Sequence, residues 1–149
     1  MKQNTHHMQI TFIDEHLSEL HHIKRPRQGW IRTIRTSLGM TLSQLGRKMG
    51  VSQQAAAKLE RSEQEDSITL KSLQKTAAAL NCRLVYGFVP YEGSLENTLH
   101  KQAYTKAKAL IDPVDHSMML EAQRTHDKQD RIKALAHELA STPTSELWE

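Results

Sequence analysis

Between Thr41 and Glu60 the chain reads TLSQLGRKMGVSQQAAAKLE, and this segment restricts its fold more tightly than any other. Thr41 offers a hydroxyl ahead of Leu42–Met49, where Leu42, Leu45 and Met49 recur at spacings of three and four and leave Arg47 and Lys48 on the opposite face. Gly50 stops that helix at once. Val51 is an apolar hinge, and Ser52 then caps a second short run, Gln53–Arg61. Two short capped helices separated by a tight glycine turn form a helix-turn-helix.

The flanking segments extend the helical reading. Pro26 and Gly29 open a helix Trp30–Leu38, in which Trp30, Ile31, Ile34 and Leu38 are expected as a buried stripe, Arg32 and Arg35 face outward and Gly39 closes the end. Ser67 or Thr69 starts a further helix to about Leu80, through Leu70, Leu73, Ala77 and Leu80, ended by Asn81. Thr11–Ile23 reads as a short helix with Asp14 and Glu15 in its first turn, where they suit the helix dipole. Arg83–Val89 alternates Leu84, Tyr86 and Phe88 against Val85 and Val89 before Pro90, the pattern of a short β-strand. Ser94–Ile111 and Asp115–Ala140 read as helices broken at Asp112-Pro113, and the tail as irregular with an isolated apolar handle, Leu147-Trp148.

The fold class is therefore mainly all-α, with one short strand and C-terminal helices. Only four prolines and six glycines are present, too few for the frequent turns of a β-sandwich, and aromatics make up just 5%. The expected divisions are an N-terminal helical arm (1–25), the helix-turn-helix domain (26–81), the strand (82–90) and a C-terminal helical region (91–149) that could bind a partner. No internal repeat is visible.

Charge is segregated. The net +3 divides into nine basic residues against one acidic residue, Glu60, from Lys24 to Ser62 (+8), and 11 basic against 16 acidic residues elsewhere (−5). A basic module joined to an acidic-leaning remainder points to a polyanion, and nucleic acid is the leading candidate. At about 100° per residue, Gln53, Gln54, Ala57, Lys58 and Arg61 share one side of the second helix, with Ala56 and Leu59 opposite. Glutamine reads adenine bidentately, lysine binds guanine or phosphate, and alanine meets a thymine methyl. Ser52 leaves free N–H groups at the helix start for a phosphate, and Arg32, Thr41 and Arg47 complete the expected DNA-binding set. The plainer alternative is an αα-hairpin whose polar face is merely solvated.

Residues 29–80 resemble the Xre/Cro/C1 family of repressors in Gly50-Val51-Ser52, the Glu60 that follows eight residues later, and the Ser-Gln-Gln start of the second helix. The resemblance implies a lambda-repressor-like domain with Gln53 and Gln54 as base readers. Two positions depart from the pattern: Ala56 stands where a bulky aliphatic is usual, and Leu42 where a phosphate-contacting glutamine is common. Over nearly the whole chain, Gly29-Trp30-Ile31-Arg32, Ser67-Ile68-Thr69-Leu70-Lys71, Cys82-Arg83-Leu84-Val85-Tyr86, His116–Glu121 and Leu147-Trp148-Glu149 look like the family called mobile mystery protein A. Its members are typically encoded beside a Fic-domain protein. That implies a toxin-antitoxin pair, with this chain as the DNA-binding antitoxin repressing its own operon.

Partners follow from these readings. A palindromic double-stranded DNA operator calls for a homodimer, and Leu84, Val85, Tyr86 and Phe88 on the strand are the expected dimerisation residues, with pairing through a helical face as the alternative. Fic inhibitors resemble one another in a helix bearing Ser or Thr, three residues, Glu, then Gly or Asn, whose Glu occupies a Fic arginine. Ser117 and Glu121 match, Ala122 departs, and an ordinary capped helix accounts for the same residues. The alternative function is thus a protein whose main task is inhibiting a Fic AMP-transferase, with DNA binding secondary.

No catalytic residue is expected: Cys82 has no nearby histidine in sequence, and no Ser/His/Asp spacing or glycine-rich phosphate loop occurs. No cofactor or metal is expected either, because His6, His7, His16, His21 and His22 lack HxxxH spacing and a cysteine cluster. The single cysteine and the lack of a signal-like or membrane-length apolar run lead to an expectation of a soluble protein, cytoplasmic in a bacterium and nucleoid-associated.

Overall fold

The computed structural model describes residues 2–115 and 123–149, and it is mostly helical. The chain forms two compact units, one of residues 23–86 and one of residues 1–22 with 87–149.

In the first unit α2 (Trp30–Ser37), α3 (Leu42–Met49), α4 (Gln53–Gln64) and α5 (Leu70–Ala79) enclose a core of Ile31, Leu45, Ala56 and Leu80. Leu42, Met49, Leu59 and Leu73 pack around it, half-buried. The caps are those their residue types dictate. Thr41 Oγ1 accepts from Gln44 N (3.2 Å) while Gln44 Oε1 accepts from Thr41 N (2.8 Å), a reciprocal box at the start of α3. Ser52 Oγ accepts from Ala55 N at α4, and Thr69 Oγ1 from Ser72 N at α5. Gly50 ends α3 at φ 69°, where a side chain would be strained.

Two expectations for α2 are overturned here. Trp30 and Leu38 are exposed rather than buried, and Arg35, expected outside, is buried. The inner stripe is Ile31, Ile34 and Arg35, because an eight-residue helix that touches mainly α4 has one narrow inward face.

In the second unit α6 (Leu95–Asp115) packs along α7 (Gln123–Ser141). Ala103, Ala107 and Ile111 recur every four residues and face Ile132, Ala136 and Ala140, so small side chains let the helix backbones approach. α6 runs through Pro113 instead of breaking at Asp112-Pro113, without the hydrogen bond that a residue with an N–H would donate there to the carbonyl four residues earlier. The tail is a 3-10 turn, Ser145–Trp148, that buries Leu147 in the same core, and Gln102 Nε2 donates to Leu147 O. The expected free apolar handle is thus reduced to Trp148, which is exposed.

α1 spans Lys2–Ser18, starting earlier than the sequence suggests, and a 3-10 turn Glu19–His22 follows it. Asp14 does not serve its own helix: its Oδ1 and Oδ2 accept from Leu95 N (2.7 Å) and Glu96 N (3.1 Å), capping α6.

Among the described residues there is no strand. Residues 82–90 belong to no regular element, and Val85, Tyr86, Phe88 and Val89 are exposed. The alternation from Arg83 to Val89 is real in the sequence, but a strand exists only beside a partner, and nothing in the described chain forms a ladder with it. No described helix is long and apolar enough to cross a membrane.

Candidate nucleic-acid interface

α3 and α4 meet at the Gly50-Val51-Ser52 turn, and the closeness of that turn depends on a residue the sequence reading passed over. Gly46, buried inside α3, faces the turn backbone so closely that a Cβ there would lie 2.8 Å from the Val51 carbonyl oxygen. Val51 N in turn donates to Gly46 O at 2.8 Å. Glycine inside a helical run was the available signal, since it costs about 1 kcal/mol of helix propensity and needs a compensating reason.

On α4, Gln53, Gln54, Lys58 and Arg61 are exposed, Ala57 is half-buried and Ala56 fully buried, as the helical wheel requires. Arg47 and Lys48 are exposed in the last turn of α3, and Arg32 on α2. Ser52 starts α4 with its hydroxyl on Ala55 N, which leaves the N–H groups of Gln53 and Gln54 directed outward from the helix end. A helix dipole end, two amides and a set of cations therefore share this domain, a combination suited to phosphate and base edges. Thr41 is also exposed, although its hydroxyl and N–H already serve the capping box.

Glu60, the one acid between Lys24 and Ser62, is turned away from this face. Its carboxylate is buried and takes two hydrogen bonds from Arg35, Nε to Oε1 at 2.5 Å and Nη2 to Oε2 at 3.3 Å. The Arg35 Nη1 donates to Met40 O at 2.7 Å, so one guanidinium joins α2, the loop before α3 and α4. The signal lay in the spacing: Arg35 follows Ile31, and Glu60 follows Ala56, by four residues on inward faces.

Glu63 is a third residue the sequence did not disclose. It is buried, and its carboxylate accepts from Trp30 N (2.7 Å) and Ile31 N (2.9 Å), capping α2 from the far end of α4. Arg25 Nη1 donates to the Glu63 carbonyl (3.1 Å) and pairs with Asp66.

Residues 31–86 match the helix-turn-helix family. This stretch is a helix-turn-helix domain of Xre/Cro/C1 type, and it supports a role in sequence-specific DNA-binding regulation. No curated protein and no solved structure matches the chain. Ser117 and Glu121 lie outside the described residues.

Proposed function

We propose that the chain is a homodimeric transcriptional repressor whose α4 reads a palindromic operator through Gln53, Gln54, Ala57 and Lys58. Arg32, Thr41, Arg47, Ser52 and Arg61 would hold the phosphates. The observation that carries this reading is the face of α4, where amides and cations stand exposed while the one acid of the helix's first nine residues, Glu60, is turned inward and neutralised. Binding rather than catalysis is the role assigned.

Dimerisation is supported by exposed apolar surface. Val85, Tyr86 and Phe88 are largely exposed, Leu84 partly so, and their backbone makes no hydrogen bond to other described residues. Within residues 23–86 an open apolar groove of about 620 Å³ adjoins Val85 and Tyr86 and is lined by Trp30, Ile34, Leu70 and Leu73. A second copy that pairs its 83–89 segment with this one as antiparallel strands would cover both.

The antitoxin role, with a Fic-domain toxin as partner and autoregulation of the shared operon, rests on the resemblance of the whole sequence to mobile mystery protein A. The helical unit α6–α7 has its own core and could serve that partner separately from DNA. The cellular setting that goes with this role is the bacterial cytoplasm, on the nucleoid.

Selection from a randomised DNA duplex pool tests the central claim. Enrichment of a two-fold symmetric site with half-sites about one helical turn (~34 Å) apart is expected. Retention of DNA without any enriched sequence would reject sequence-specific reading.

A further inference from the structure

The unit of residues 23–86 carries an open groove of about 620 Å³ lined from α2, α5 and residues 82–86, beside the core that holds its helices together. Its walls are apolar: Trp30, Ile34, Ile68, Leu70, Leu73 and Leu84 line it, and Trp30 and Leu70 stand exposed there. A cavity of roughly 300–1,000 Å³ with apolar walls and a few polar groups is the usual form of a small-molecule site. None of the residues assigned to DNA lines the groove, so an occupant leaves the outward face of α4 open.

We propose that this groove binds a small amphipathic anion, a hydrocarbon body ending in a carboxylate, with Arg83 holding the head group. Four charged side chains line it, and three are already committed. Glu63 accepts from Trp30 N and Ile31 N, and Arg25 pairs with Asp66. Arg83 is exposed and has no hydrogen bond or ion pair with another described residue. One uncompensated cation beside an apolar wall selects a ligand with a single negative charge and an apolar body.

Other head groups fit less well. A cationic one would meet Arg83, and both carboxylates that could attract it are occupied. A neutral apolar molecule would take water from Arg83 and give it no partner in exchange. The pairing of 83–89 segments proposed above runs along the wall formed by residues 83–86, and it would roof the groove over a ligand. The site itself does not depend on that pairing.

Titrating the full chain carrying Trp148→Phe with decanoate, below its micelle concentration, tests the site, since Trp30 is then the single tryptophan and lines the groove. A saturable change in Trp30 emission is expected, together with slower alkylation of Cys82, the chain's one cysteine and also a groove residue. Decyltrimethylammonium, the same chain length with a cationic head, should bind at least about tenfold more weakly. Arg83→Gln should weaken decanoate binding about tenfold with helix content unchanged. Leu70→Glu, which puts a carboxylate at an exposed groove position, should abolish it, again with helix content unchanged. No saturable change, no protection of Cys82, equal affinity for the two head groups, or unchanged decanoate affinity in either variant overturns the proposal. So does Trp30 emission that follows protein concentration alone, which would show a second copy filling the groove.

Discussion

Arg35 and Glu60 form a buried two-pronged ion pair that fixes α4 to α2, with Nε–Oε1 at 2.5 Å and Nη2–Oε2 at 3.3 Å. Both side chains are about one-tenth exposed, so each is committed to the other and to few remaining contacts. The pair orients α4 from behind, because Glu60 occupies the inward side of the helix whose outward side carries Gln53, Gln54 and Lys58. A buried ion pair gives geometry more dependably than net stability, since desolvation offsets much of its Coulomb gain.

Removing one partner should therefore be costlier than replacing both. Arg35→Met or Glu60→Leu alone leaves a buried charge uncompensated and should destabilise the domain by about 3–5 kcal/mol. The double variant should recover most of that loss. Urea unfolding of the four proteins gives the coupling directly, and additive single effects would show that the two side chains act independently.

Much of this arrangement was legible in the sequence, for reasons that differ by residue. Thr41, Gly50 and Ser52 announce the helix ends because capping is local chemistry, and the exposed face of α4 follows from helical period alone. Charge read as a surface signal puts Arg35 outside and gives Glu60 and Glu63 no inward role, whereas their positions on inward faces spoke for burial. Asp14 was assigned to its own helix, and only the tertiary fold shows it capping α6 at a distance of 81 residues along the chain. The 83–89 segment has a strand's pattern and no strand, since a ladder is a property of two segments and one sequence shows only one of them.

Gly46 should be the least replaceable residue of the turn. In Gly46→Ala the new methyl would press on the Val51 carbonyl at 2.8 Å, a contact with backbone that cannot swing aside. Such overpacking costs about 1–3 kcal/mol and should push α3 and α4 apart, lowering operator affinity beyond the loss of stability. Gly50→Ala meets no neighbour, and only its φ of 69° is penalised, by about 1–2 kcal/mol. Thermal melts with DNA titrations at a temperature where both variants are folded check the contrast; equal DNA affinities would show that the α3–α4 separation is unimportant.

Base reading and phosphate holding should separate experimentally. Gln53→Ala or Gln54→Ala is expected to cost about 1–3 kcal/mol on the selected site and almost nothing on random DNA. Arg47→Ala or Arg32→Ala should weaken both and reduce the slope of log K against log salt by about one. Binding isotherms at several salt concentrations on both DNAs decide the assignment, and an unchanged slope removes that arginine from the phosphate contacts.

The exposed 83–89 segment offers a test of how two copies join. In the single chain, Val85 is 60% exposed and its N–H bonds to no other described residue, so proline there should leave the monomer's fold intact. In an antiparallel pair the same N–H would be needed for the ladder, and proline removes it. Val85→Pro should then sediment as a folded monomer at micromolar concentration, while the parent chain sediments as a dimer. A lone domain covers only one half-site, so the variant should also lose most of its affinity for the symmetric operator while keeping its affinity for an isolated half-site. A Val85→Thr control keeps the N–H and the β-branched shape and should remain dimeric. If Val85→Pro is as dimeric as the parent chain, the subunits meet through another face, and the apolar groove beside Trp30 and Leu70 becomes the next surface to mutate.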